Sequence, residues 1–68
     1  MSNTTKIEVA AFRLRVLARK NGYYTDQNAW DVLAEVSRDA ISRRTVNAVK
    51  RAARAELDAN GETTIQER

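Results

Sequence analysis

The segment SRRTVNAVKRAARAELD, Ser42 to Asp58, decides the fold. Placed at about 100° per residue from Arg43, the side chains of Arg43, Arg44, Asn47, Lys50, Arg51 and Arg54 fall on one arc, from about −20° to about +100°. Val46, Val49, Ala52, Ala53 and Leu57 fall on another, from about 180° to about 320°. A segment that sorts cationic from apolar residues at this period is an amphipathic helix. The hydroxyl of Ser42 suits its N-cap, good helix formers fill its interior, and Asn60-Gly61 supplies a stop. A helix is predicted over residues 43–58.

Upstream of Ser42 the same period recurs twice. Ala29, Trp30, Val32, Leu33 and Val36 repeat at helical steps behind Thr25 or Asp26 as cap, which predicts a second helix over 26–37. Ser37-Arg38-Asp39-Ala40-Ile41-Ser42 breaks the rhythm, because hydroxyls and a carboxylate compete for backbone partners. Further back, Thr5-Lys6-Ile7-Glu8 has the S/T-x-x-E spacing of a capping box. It precedes the stripe Ile7, Ala10, Ala11, Leu14, Leu17 and Ala18, and Asn21-Gly22 closes it, predicting a first helix over 6–20. The chain has no Pro and two Gly, so little else interrupts it. The expected fold class is all-α: a compact three-helix domain over residues 1–60, with residues 61–68 a disordered, flexible polar tail. Trp30 is expected at the centre of the core, with Leu14, Leu17, Leu33, Val46 and Val49 around it.

At 68 residues the chain forms one small domain and buries only about 60% of its unfolded surface, so its core is marginal. It contains no Cys and no His. Disulfides, thiolate nucleophiles, zinc fingers and imidazole bases are thereby excluded, and the expectation is a protein that is not an enzyme and uses no cofactor or metal. Asp26, Asp31, Glu35 and Asp39 lie along the second helix and beyond, but Asp31 and Glu35 are expected to pair with neighbouring arginines rather than to build a site. Apolar runs of at most four residues, and the absence of a charged start followed by an apolar stretch, predict neither a spanning helix nor a secretory signal. No membrane partner and a cytoplasmic location are expected.

The net charge is +3, and its distribution says more than its size. Residues 43–55 hold five basic side chains and no acid, whereas residues 56–68 hold four acids and one base. Solvated helix faces usually interleave acids with bases for i,i+4 pairing. None occurs between Ala40 and Ala55, which points to an anionic partner. The cationic arc from Arg43 to Arg54 is about 16 Å long, the scale of a helix laid in a major groove. Arg and Asn are the side chains that make bidentate contacts to guanine and adenine, which marks Asn47 among its arginines.

The run Ile41-Ser42-Arg43-Arg44-Thr45-Val46-Asn47-Ala48-Val49 resembles the recognition-helix portion of helix-turn-helix DNA-binding regulators, in which a hydrophobic residue and Ser open the helix and Thr-Val follow. The resemblance spans residues 30–54. Upstream it departs from the family pattern: Leu33-Ala34 lies about two residues too far back, and Ala40 stands where Gly is usual. The resemblance implies a small regulator of transcription, of bacterial, phage or plasmid type, with duplex DNA as partner. It also implies that Arg43, Arg44, Asn47 and Lys50 face bases or phosphates and that Arg51 and Arg54 lie nearer the backbone.

Three features leave alternatives open. Val9, Phe12 and Val16 form an apolar patch opposite the main stripe of the first helix, flanked by Arg13, Arg15, Arg19 and Lys20. The patch is covered either by a second copy in a homodimer or by the third helix or tail of the same chain. With Phe12 as anchor and the basic face against an acidic protein partner, the chain reads instead as an interaction module, such as a phage-encoded inhibitor or antitoxin-like adaptor. Thr4-Thr5-Lys6-Ile7-Glu8-Val9 also alternates as a short strand would, and with Leu17-Ala18 before Asn21-Gly22 resembles ribbon-helix-helix DNA-binding dimers. Tyr23 and Tyr24 either stack on a partner or close over the core.

Overall fold

Hydroxyl side chains start all three helices. In the computed structural model, which describes residues 2–68, Ser2 caps α1 (Asn3–Asn21), Thr25 caps α2 (Asp26–Val36) and Ser42 caps α3 (Arg43–Ala59). Each accepts a hydrogen bond from the backbone N–H three residues on, at 3.2, 3.0 and 3.2 Å. At Thr25 the box is reciprocal, since Asn28 Oδ1 accepts from the Thr25 N–H at 3.0 Å.

The first helix therefore begins earlier than predicted, with Ser2 and not Thr5 as its cap. Ser2 offers the same oxygen one turn sooner, the Lys6 N–H then bonds to the Ser2 carbonyl, and the Thr5 hydroxyl pairs with that of Ser2 at 2.8 Å. Glu8 is left with no capping role. The alternative of a short strand over residues 4–9 is ruled out, because the segment lies inside α1.

Glycines end two of the helices. Gly22 takes the left-handed conformation, φ 85°, and its N–H bonds to the Ala18 carbonyl at 2.7 Å. Gly61, φ 77°, closes α3 in a Schellman arrangement: the Glu62 N–H bonds to the Leu57 carbonyl at 2.8 Å and the Gly61 N–H to that of Asp58 at 3.0 Å.

The three helices enclose one apolar core, making an all-α three-helix domain. Leu14, Leu33, Val46, Val49 and Leu57 are its largest fully buried side chains, and the alanines Ala10, Ala11, Ala18, Ala29 and Ala53 let α1 come close to both partners. Trp30 is not at the centre as predicted. Its indole N–H needs a partner, finds Asp26 Oδ2 at 3.2 Å, and holds the ring half-buried against the edge of the core, while Leu57 is among the fully buried side chains. Leu17 is likewise half-buried and lines a groove between α1 and α2.

The C-terminal residues are ordered against the domain and do not form the disordered tail that their polarity predicts. Gln66–Glu67 (β2) pairs in parallel with Tyr23–Tyr24 (β1), Tyr23 opposite Gln66 and Tyr24 opposite Glu67, and the Arg68 N–H bonds to the Tyr24 carbonyl at 2.8 Å. Tyr24 is buried and Ile65 packs on the core, so one apolar side chain in a polar segment suffices to seat it. The Arg68 guanidinium lies 4.3 Å from the centroid of the Tyr23 ring. No helix among the described residues is long and apolar enough to cross a membrane.

Candidate functional site

The cationic arc of α3 divides into two strips with different environments. Its inner strip is Arg43, Lys50 and Arg54, which point toward the start of α2 and the C-terminal segment. Asp26, the first residue of α2, sits where the helix dipole favours a carboxylate. Its Oδ1 takes ion pairs from Arg43 and from Lys50 Nζ at 2.9 Å, while its Oδ2 accepts from Trp30. Lys50 also reaches Glu67 Oε2 at 3.2 Å, so one half-buried ammonium joins α2, α3 and the C-terminal strand. Arg54 pairs with Asp58 at 2.7 Å and donates to the carbonyls of Glu62 and Ile65, fastening the segment that follows Gly61. The Arg43 guanidinium lies 5.4 Å from the Trp30 ring centroid.

This geometry sets the titration behaviour of the cluster. Hydrogen bonds from Arg43 and then Lys50 hold the Asp26 carboxyl far below the usual carboxylate range. Asp26 raises Arg43 in turn, and, with Glu67 adding to it against a desolvation that works the other way, raises Lys50. Across the domain, Lys6 lowers Asp39 through a 2.7 Å pair that ties α1 to the α2–α3 connection.

The outer strip is Arg44, Asn47 and Arg51. All three are exposed, and among the described residues neither arginine has a carboxylate within ion-pairing distance. They stand at i, i+3 and i+7, about 10 Å from end to end, with Ala48 and Ala55 beside them. Side chains this small leave the strip open to close approach. The arc read from the sequence as one surface thus supplies three free side chains, and Arg43, Lys50 and Arg54 are engaged by the fold itself. Arg38, in the connection before α3, is exposed and also without an ion pair among the described residues.

The outward face of α1 carries the other surface feature. Phe12 and Val16 are 56% and 49% exposed, and Val9 is half-buried, so neither α3 nor the C-terminal segment covers the patch. Phe12 forms a ridge between two grooves. One, toward α2, is lined by Val16, Leu17 and Val32 with Arg13, Lys20 and Glu35; the other, toward α3, by Ala11, Ala52 and Ala55 with Glu8, Arg15 and Glu56. Arg13 pairs with Glu35 at 2.7 Å and Arg19 with Glu62 at 2.8 Å. Asp31 takes a hydrogen bond from Gln27 and no arginine. Among the described residues no three carboxylates converge as metal ligands.

The role of Asp26 as a hub was not foreseen, because the residue reads first as a helix cap. No local signal marks Asp26, whereas the acidic stretch after Ala55, four carboxylates following five unaccompanied cations, does point to the partners that Lys50 and Arg54 find in Glu67 and Asp58. Six residues, Ser37 to Ser42, connect α2 and α3, where a helix-turn-helix uses about three or four. Comparison with protein-family models, with characterised proteins and with solved structures finds no match to this chain.

Proposed function

We propose that the protein is a small DNA-binding regulatory protein that meets duplex DNA with the outer strip of α3. The observation that carries this reading is the exposure of Arg44, Asn47 and Arg51 on one line of a capped, rigid helix, with no acid of the described residues set against them. Free guanidinium groups suit phosphate and guanine, and an amide between them suits adenine. Arg43 and Lys50 shape the edge of the strip, while Arg54 holds the C-terminal segment away from it.

The test is an anisotropy titration of labelled duplex DNA at several salt concentrations. The expected result is salt-sensitive binding whose log–log slope steepens by about 0.9 per phosphate neutralised. Arg44→Ala and Asn47→Ala are each expected to cost about 1–3 kcal/mol in discrimination between sequences. Absence of salt-sensitive binding at micromolar protein discards the reading.

One observation favours a second reading, an interaction module that docks on an acidic protein surface: the 56% exposure of Phe12, a hydrophobic anchor on α1 that the α3 strip does not use. Affinity capture with and without nuclease separates the two, since only a protein partner survives digestion.

A further inference from the structure

We infer that the exposed face of α1 is a homodimer contact in which two copies of the helix cross antiparallel at Phe12. The inference uses no residue of the α3 strip and stands whether or not that strip binds DNA. It starts from three side chains that the single chain leaves unfinished. Phe12 is more than half exposed. Glu8 has no ion pair among the described residues, and neither has Arg15, whose guanidinium rests 5.4 Å from the Phe12 ring centroid with a buried Nε that has no hydrogen-bond partner. Glu8 and Arg15 line the same groove, but lie seven residues apart, about 10 Å along the axis, too far to meet within one helix.

A second copy completes all three. Around α1, with Phe12 at zero, Glu8 and Arg15 fall at about −40° and −60°, on one flank, and Val16 and Val9 at about +40° and +60°, on the other. A two-fold axis at Phe12 that sets the helices antiparallel brings like flank against like flank and reverses height. Glu8, one turn before Phe12, then lies opposite Arg15 of the second copy, one turn after it, and the reciprocal pair forms by symmetry. On the other flank Val9 lies opposite Val16 of the second copy, twice, and the two Phe12 rings meet on the axis. A parallel crossing would set each charged residue against a valine. The sequence of the face is therefore complementary to itself in one orientation only, and the charge pattern selects a second copy over an unrelated partner. The alanines on the α3 side, Ala52 and Ala55, leave room for the second helix beside the ridge.

The experiment is sedimentation equilibrium of the full chain over a concentration series reaching about 1 mM, with far-UV circular dichroism to confirm the fold. The native chain is expected to dimerise. Glu8→Arg, which sets one arginine against another at both symmetry-related contacts, is expected to weaken the dimer at least about tenfold, and Arg15→Glu, which sets glutamate against glutamate, to do the same. The double exchange, Glu8→Arg with Arg15→Glu, is expected to restore it, and Phe12→Ser to abolish it. Restoration has no explanation in the stability of a single chain. A native protein that stays monomeric throughout the series overturns the inference, even if it captures a different protein through Phe12. A dimer indifferent to both single reversals, or one that the double exchange fails to restore, overturns it as well.

Discussion

Lys50 and Arg51 are neighbours in the chain and opposites in circumstance. Lys50 lies among Asp26 and Glu67 with 17% of its side chain exposed, whereas Arg51 stands in solvent with no carboxylate of the described residues near it. The same contrast separates the inner strip of α3, Arg43, Lys50 and Arg54, from the outer strip, Arg44, Asn47 and Arg51. Nothing in α3 itself up to Ala55 sets the cations of one strip apart from those of the other, since all of them are long side chains on one arc. What distinguishes them arrives from elsewhere: a carboxylate at the start of α2, another from the C-terminal strand, and two carbonyls beyond Gly61. A helical projection counts the charge that one element carries, while the field a partner meets is what survives after other elements have been laid against it. With screening over about 8 Å in physiological salt, a cation held against a carboxylate contributes little to that field, and a bare one contributes nearly all of its charge.

The contrast can be broken by exchanging the behaviour of the two strips. The largest effect is expected for Arg44→Ala with Arg51→Ala, which on the proposed reading lowers affinity for duplex DNA roughly 10- to 100-fold and flattens the log–log salt slope by nearly 2, while each change moves stability by less than about 0.5 kcal/mol. Anisotropy titrations beside thermal melts measure both quantities. A melting temperature that drops sharply would mean that the outer strip also supports the fold.

Lys50→Met should do the reverse. It leaves Asp26 and Glu67 without their shared ammonium, and the expected cost is about 1–2 kcal/mol, or roughly 5–15 °C in melting temperature for a domain of this size. Its DNA affinity should change less than that of the Arg44 and Arg51 double variant. A smaller and more local effect is expected for Arg54→Ala. The amides of Glu62 and Arg68, which bond to the Leu57 and Tyr24 carbonyls, should lose protection in native-state hydrogen exchange by about tenfold, while amides in the middle of α1 keep theirs.

The helices were legible because each signal was local. Ser42 as cap, Asn21-Gly22 as stop and the apolar steps of all three segments act within a turn or two of themselves, and the three-helix fold follows from them. The start of α1 is ambiguous in the sequence because Ser2 and Thr5 offer the same hydroxyl three residues apart, and the backbone gains another turn by using the earlier one. The C-terminal segment departs from its polar composition for a different reason. Composition weighs every residue equally, whereas Ile65 is the apolar side chain that packs that segment on the core, and the cations that hold it come from α3 and, through Arg19, from α1. Size alone puts Trp30 at the centre of the core, and the partner its N–H requires keeps it half-buried beside Asp26. In the candidate site, residue types and helix face were readable from Ser42 to Asp58. The division of that face was not, because it depends on Asp26 and Glu67, residues 24 positions before Lys50 and 17 after it.

The gentlest test of the contrast is acid titration, because it removes the carboxylates from the inner strip without touching a cation. Arg43 and Lys50 hold the Asp26 carboxyl far below its ordinary value of 3.8, and Lys6 lowers Asp39. The unfolded chain takes up these protons near that ordinary value, so as pH falls it binds protons that the folded protein still refuses. A depressed carboxylate therefore contributes stability that is complete above about pH 5 and drains away as pH falls through 3.8 toward the folded value. Melting temperature is expected to be level near neutrality and to decline on the acid side. Asp26→Asn should lower the plateau and shallow the decline, since the variant has one fewer carboxylate to protonate. Arg44→Ala should leave the curve in place, because among the described residues no carboxylate is paired with Arg44. If Arg44→Ala shallowed the acid limb as much as Asp26→Asn does, the two strips would share their carboxylates, and the division of α3 into an engaged and a free face would be wrong.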